Sequence, residues 1–189
     1  MAILTDEQGF RRHIKRELIS EAEIKAKLRE TGAWLSREYA DKPLMLVSVL
    51  KGSYIFLADL TREITIPCEI GFMAAQSYFD GTSPCGTVDI TYDLNRDIRN
   101  YHVVIVEDIV DTGRTLKEIV RLLRARDPLS LRVVTLLDKP SRRKVEFKTD
   151  RSLFTIEDHF VIGYGLDCGE YYRNLPYIAE YDPEADENA

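Results

Sequence analysis

Residues 103–116, which read VVIVEDIVDTGRTL, constrain this chain more than any other stretch. Four β-branched apolar residues, Val103 to Val106, run into the adjacent acids Glu107 and Asp108. Ile109-Val110 then leads to Asp111-Thr112-Gly113-Arg114-Thr115, where a helical pattern begins. An apolar run without alternation is a strand buried on both faces, as in a parallel sheet covered by helices. When such a strand ends in a small-residue turn that opens a helix, it predicts a ligand crevice at the carboxyl edge of an open α/β sheet. The helix N-terminus brings unpaired N–H groups and a positive dipole end, which together bind anions. The two carboxylates suit sugar hydroxyls or a divalent cation. A phosphorylated sugar meets both demands.

The rest of the chain repeats the alternation of strand and helix. Ser20-Glu21-Ala22-Glu23 reads as a capping box, and Ile24, Leu28, Thr31 and Leu35 follow at helical spacing, predicting a helix over 20–39. Residues 44–50 form a nearly continuous apolar run of strand length, closed by Lys51-Gly52-Ser53, and a helix is expected over 54–61. Strands are expected at 69–75 and 88–92. The Ser-, Gly- and Pro-containing stretch 76–86 between them reads equally as a mobile lid or a plain hairpin. Leu116, Ile119, Val120 and Leu123 mark one face of a helix ending near Asp127-Pro128; strands follow at 131–137 and 160–165. This pattern predicts a doubly wound, mostly parallel α/β sheet flanked by helices, in a single domain over 1–181. Residues 1–19, with Arg11, Arg12, Lys15 and Arg16, read as a solvated helical face, as do Arg142, Arg143 and Lys144. The acidic stretch 182–189 reads as a disordered tail.

Composition narrows the function. A net charge of −6 disfavours bulk nucleic-acid binding. No apolar run reaches the roughly 18–20 residues of a membrane helix. The N-terminus lacks the basic-then-apolar order of a signal peptide, and Asp6, Glu7 and Glu17 argue against a transit peptide. Cys68, Cys85 and Cys168 are odd in number and without metal spacing, so free thiols in a reducing cytoplasm are expected.

Taken alone, the central motif has structural uses: Asp caps helices, Thr bonds its own backbone and Gly makes turns. None of these needs two successive acids at the end of the preceding strand. The stretch is similar to the signature of type I phosphoribosyltransferases, which bind phosphoribosyl pyrophosphate. Within that superfamily the chain resembles the hypoxanthine(-guanine) phosphoribosyltransferases of the short, bacterial kind. The resemblance covers roughly residues 20–180. It includes Leu50-Lys51-Gly52-Ser53, Ser77-Tyr78, Lys139-Pro140 and the stretch from Phe160 to Arg173.

The resemblance implies a small hood built from the chain ends over the sheet, and a role for each matching residue. Thr112, Gly113, Arg114 and Thr115 would cradle the 5′-phosphate. Glu107 and Asp108 would hold the ribose hydroxyls, directly or through Mg²⁺, with Asp167 as a further metal ligand. Asp111 would handle the proton on the purine's imidazole ring. Lys51, Gly52 and Arg173 would meet the diphosphate, Lys51 and Gly52 in a loop that in the family often contains a non-proline cis peptide. Lys139 would donate to the purine 6-oxo group, Phe160 would stack on the base, and Val161 and Asp167 would meet its edge. Ser77 and Tyr78 would belong to a lid. Substrates would be phosphoribosyl pyrophosphate with hypoxanthine or guanine, products IMP or GMP with diphosphate, and the assembly a homodimer or homotetramer.

The chain departs from the family's usual pattern in four places. Phe79-Asp80 precedes Gly81 after the Ser-Tyr pair, Glu157 stands for a common Pro, His159 for a Lys or Arg, and Cys168 for an aromatic. Two readings from other classes stay open at this stage. One is a regulator that senses phosphoribosyl pyrophosphate and binds nucleic acid. The other is a phospho-acceptor receiver domain.

Overall fold

The continuous apolar runs become interior strands, and the residues at 3.6-spacing become the helices that cover them. The computed structural model describes residues 7–78 and 87–185. In chain order the elements are α1 (Glu7–Arg12), β1 (Ile14–Ile19), α2 (Glu21–Glu38), β2 (Leu44–Leu50), α3 (Tyr54–Arg62), β3 (Cys68–Tyr78) and β4 (Thr87–Tyr92). They continue as β5 (His102–Val110), α4 (Arg114–Arg124), β6 (Ser130–Asp138), β7 (Arg151–Thr155), β8 (Val161–Ile162) and β9 (Ile178–Tyr181).

Six strands form the main sheet in the order β4-β3-β2-β5-β6-β7. All neighbours are parallel except the edge strand β4, which runs antiparallel to β3. The chain winds outward from β2 to β3, then returns to lay β5 on the other side of β2. The carboxyl ends of β2 and β5 therefore flank a topological switch point, where the two crossovers diverge and leave a crevice. A second sheet, β1-β9-β8, is antiparallel and joins the two ends of the chain into the expected hood.

Burial on both faces explains why β2 and β5 read as unbroken apolar runs. Leu44, Leu46, Val104 and Val106 pack beneath Ile24, Leu28 and Leu35 of α2 and Phe56, Leu57 and Leu60 of α3. Met45, Val47, Val103 and Ile105 point the other way, against Leu116, Ile119, Val120 and Leu123 of α4. Each such side chain contributes about 1.5–3 kcal/mol, so both strand ends are held by rigid packing. The capping box forms as expected: Ser20 Oγ accepts from the Glu23 N–H at 3.3 Å, and the Ser20 N–H donates to Glu23 Oε2 at 2.9 Å.

Three expectations need correction. Residues 1–19 are not one helical face: 14–19 form β1, which pairs with β9, and Lys15 and Arg16 both bond Glu180 of that strand. The late strand stops after Ile162, because Gly163 (φ 97°), Tyr164 (φ 49°) and Gly165 (φ 100°) turn into the left-handed region. Arg151–Thr155 forms an edge strand that its mixed polarity concealed.

Of the loop expected at 76–86, residues 76–78 continue β3; residues 79–86 with Cys85, and residues 186–189 of the acidic tail, lie outside the described residues. Cys68 and Cys168 are free thiols. No described helix is long and apolar enough to cross a membrane.

Candidate active site

The turn between β5 and α4 is built from the inside of the sheet and braced from outside. Gly113 is the N-cap of α4 in the left-handed conformation, φ 80°, which costs other L-residues roughly 1–2 kcal/mol. A Cβ there would meet Arg143 Cδ at 3.0 Å and Phe147 Cβ at 3.2 Å. The Arg114 N–H points back to Thr112 Oγ1 at 3.4 Å, and Arg114 and Thr115 form the first turn of α4. The segment after β6 acts as the brace. The Lys144 N–H donates to the Thr112 carbonyl at 3.0 Å, and Arg143 Nη1 donates to the Asp111 carbonyl at 2.6 Å. Arg143 also pairs with Asp138, and the Lys139 N–H donates to the Val110 carbonyl at 3.0 Å.

Glu107 and Asp108 lie within β5 rather than beyond it, two positions short of its end. Glu107 Oε2 is shut off from solvent and makes no hydrogen bond among the described residues. Burial, with the Asp108 charge beside it, pushes the Glu107 carboxyl well above the usual carboxylate range. Burial likewise raises Asp108 to about 6, against the opposing Ile109 N–H at 2.6 Å and the Arg173 guanidinium. Two buried acids next to each other on one strand are costly without a cation or hydroxyl donor to satisfy them.

Lys51 and Gly52 follow the end of β2, with Gly52 against Asp108, and the Leu50–Lys51 peptide is cis. A Cβ on Gly52 would land on the Asp108 carboxylate, 2.7 Å from its Cγ. Gly165 in turn lies directly on the Gly52 carbonyl. Arg173 completes the cluster, donating to the Gly165 carbonyl at 2.8 Å and pairing with Asp167 at 2.9 Å. Glu170 bridges the two cations, 3.1 Å from Lys51 Nζ and 3.2 Å from Arg173 Nη2.

A second cluster sits at the end of β6. The Lys139 side chain is buried and donates to the His159 carbonyl. Burial lowers its pKa, while Asp111 and Asp158 pull it back up. Arg142 links those acids, at 3.1 Å from Asp111 and 3.6 Å from Asp158. Phe160 is 57% exposed, unusual for a phenylalanine, with its ring centroid 5.5 Å from that of Tyr181 in an edge-on arrangement. Val161 is buried and pairs with Glu180 in the hood. One end of the sheet thus offers an anion cradle, paired carboxylates and a basic loop, beside a lysine and an open aromatic face.

Residues 17–168 match the family described as phosphoribosyl transferase domain. The hypoxanthine phosphoribosyltransferase of Salmonella typhimurium is 46% identical over 171 residues, covering 89% of this chain and 96% of that protein. The hypoxanthine-guanine phosphoribosyltransferase of Streptococcus pneumoniae is 45% identical over 175 residues, 93% of this chain and 97% of the other. The crystal structure of a Staphylococcus aureus hypoxanthine phosphoribosyltransferase superimposes with a TM-score of 0.90 at 44% identity, covering 95% of this chain and 98% of that one. The chain belongs to the phosphoribosyltransferase family, as an enzyme of the hypoxanthine(-guanine) type.

Against that family's needs, the residues singled out from sequence fall into the two clusters just described. Asp108, Lys51, Gly52, Asp167 and Arg173 meet in one, with Glu107 beside Asp108 on β5; Asp111, Lys139, Phe160 and Val161 border the other, and Thr112, Gly113, Arg114 and Thr115 form the turn into α4. The backbones of Ser77 and Tyr78 end β3, paired with Val88 and Thr87; their side chains and residues 79–86 lie outside the described set.

Among the described residues no three His, Cys, Asp or Glu side chains form a metal cage. Glu107, Asp108 and Asp167 are therefore not a preformed site. Magnesium is commonly held by one or two carboxylates with substrate phosphate oxygens and water instead. The unpartnered Glu107 oxygen and the buried Asp108 carboxyl fit that mode.

Sequence reasoning missed the supporting residues. Arg143 is not a solvated side chain: it is 16% exposed and holds Asp111 by its carbonyl. Arg142 lies on the Asp111 carboxylate, and Glu170 lies between Lys51 and Arg173. Nothing in the local pattern marks these residues.

Proposed function

We propose that this protein transfers the 5-phosphoribosyl group of phosphoribosyl pyrophosphate to N9 of hypoxanthine or guanine. The products are IMP or GMP and diphosphate, which is purine salvage. One observation carries the reading: the anion-binding turn at α4, the buried acid pair and the Lys51-Gly52 loop meet at the switch point, with Lys139 and Phe160 alongside.

The backbone amides at Thr112–Thr115 and the Thr hydroxyls take the 5′-phosphate. Glu107 and Asp108 take the ribose 2′- and 3′-hydroxyls, which supply the donors that the buried oxygens lack. Lys51, the Gly52 backbone and Arg173 bind the diphosphate, so Glu170 gives up these cations to the substrate. Glu107, Asp108 and Asp167 are the residues that would hold Mg²⁺, which neutralises charge growing on the departing diphosphate.

On the purine side, Phe160 stacks on the base and the Val161 and Asp167 backbones meet its edge. Lys139 moves from the His159 carbonyl to the 6-oxo oxygen, which favours 6-oxopurines over adenine. Asp111 exchanges the proton on the imidazole ring, steered by Arg142 on its carboxylate and Arg143 on its carbonyl. Ser77 and Tyr78 belong to a lid that closes over the diphosphate and keeps water from a ribosyl centre of cationic character. The enzyme works in the cytoplasm as a homodimer or homotetramer, each chain contributing one catalytic unit over 1–181.

Purified protein with Mg²⁺, phosphoribosyl pyrophosphate and hypoxanthine or guanine is expected to form IMP or GMP, followed by absorbance and chromatography. No nucleotide from either base refutes the assignment. Asp111→Asn is expected to lower kcat by about 10²–10⁴-fold with the KM for phosphoribosyl pyrophosphate little changed. Undiminished turnover would remove Asp111 from proton transfer.

A further inference from the structure

The lysine expected to read the purine donates a hydrogen bond to a backbone carbonyl, with the nearest carboxylate, Asp158, 3.9 Å away. That carbonyl belongs to His159, in the loop between β7 and β8. The His159 imidazole lies between two acids, with Nε2 3.5 Å from Glu157 Oε2 and Nδ1 3.4 Å from Glu180 Oε1. Glu180 is buried in β9 and also receives Lys15 Nζ at 3.0 Å and Arg16 Nε at 2.8 Å from β1. The next residue, Phe160, is tied to the same strand, since its carbonyl accepts the Tyr181 N–H at 2.9 Å. One imidazole therefore joins the hood to the loop that carries both Phe160 and the anchor of Lys139.

We infer that His159 is a positioning residue for the purine: its ring, set between Glu157 and Glu180, seats the 157–160 loop, with Lys139 and Phe160, against the hood. This rests on the reading that Lys139 and Phe160 meet the base.

The charged and titratable groups around the ring are Glu157 and Asp158 of its own loop, Glu180 of β9, and Lys15 and Arg16 of β1 behind Glu180. On the carbonyl side stand Lys139 and, through Asp158, Arg142. His13 stacks on the neighbouring Tyr181. The two groups against the ring nitrogens are both acids, so the ring is flanked by an acceptor at each end. Lys15 and Arg16 keep Glu180 paired when the ring is removed, so the hood stays assembled and the effect is limited to several-fold.

The test is the KM for hypoxanthine and for phosphoribosyl pyrophosphate in the wild type, His159→Ala and His159→Lys. His159→Ala is expected to raise the hypoxanthine KM about three- to five-fold, the scale of a modest ion pair, without a matching change for phosphoribosyl pyrophosphate. His159→Lys, which restores a donor between the two acids, is expected to stay within about two-fold of the wild type. Glu157→Gln, at a side chain 90% exposed and outside the packed core, is expected to give a smaller rise of the same kind. A hypoxanthine KM unchanged in His159→Ala, or equal rises for both substrates, overturns the inference. If IMP forms and Lys139→Ala raises the hypoxanthine KM while His159→Ala does not, the purine reading stands and the role of His159 falls. If Lys139→Ala leaves that KM unchanged, both fall.

Discussion

Replacing Gly165 by alanine tests whether the diphosphate loop is placed by backbone contact from the hood. Residue 165 has φ 100°, a conformation in which a Cβ is strained. The added Cβ would also fall well inside 3.0 Å of the Gly52 carbonyl oxygen, a separation that real Cβ atoms essentially never show. Both partners are backbone, so no side chain can swing aside. The two loops must part by about 1 Å, and a misplacement of that size can cost about 10²-fold in rate. Gly52 is also the residue lying over the Asp108 carboxylate, so the displacement reaches the acid pair. Stability should drop as well, by about 2–5 kcal/mol from backbone strain and overpacking together. At about 2–4 °C per kcal/mol for a chain of this size, melting falls by roughly 5–15 °C. Initial rates of IMP formation with each substrate varied in turn should show kcat/KM for phosphoribosyl pyrophosphate falling about 30–100-fold, and the hypoxanthine KM changing far less. The assay is run below the variant's melting temperature, so that folded enzyme is measured. A variant with kcat/KM for phosphoribosyl pyrophosphate within two-fold of the parent would refute the argument, because the loop would then not depend on Gly165.

The acid pair makes a prediction about pH. Burial raises the Asp108 carboxyl from 3.8 to about 6, so the folded protein keeps a proton that the unfolded chain has released. This contribution to stability is complete below about pH 4, is lost as pH rises to about 6, and stays lost above it. Asp108→Asn, which cannot ionise, should therefore melt higher than the wild type at pH 7.5, by about 1–2 kcal/mol. The gap should close toward pH 4 in a thermal-unfolding series, and an equal gap at both ends would contradict the assignment. Lys139→Ala removes a charge-assisted hydrogen bond to the base, so the hypoxanthine KM should rise about 10–100-fold with that for phosphoribosyl pyrophosphate within a few-fold. Steady-state kinetics with each substrate varied would show an equal loss for both if Lys139 served only the fold.

The fold was legible where local pattern and burial agree. The runs at 44–50 and 103–106 are apolar because helices cover both sheet faces, and the capping box at Ser20 announces α2 in four residues. The order of acids, turn and helix from Glu107 to Thr115 is contiguous in sequence, so the anion cradle could be read directly. Strand β1 was misread because its pairing partner lies at the far end of the chain, and Lys15 and Arg16 look solvated until Glu180 is opposite them. Strand β7 hid because an edge strand needs no apolar alternation to be held by one neighbour.

Residue order alone therefore determined which chemistries the chain carries and which strand ends carry them: carboxylates, hydroxyls, glycines and a lysine, each next to a strong local signal. Only tertiary structure decided the residues that orient those groups. Arg142 and Arg143 reach Asp111 across about thirty positions, a separation of the kind that sheet crossovers create. Glu170 meets Lys51 from the opposite end of the chain, and Gly165 sits on Gly52. The reason is physical: helix and strand periodicity report only on near neighbours. Contacts between distant loops are set by how the layers stack, and no local sequence pattern records that.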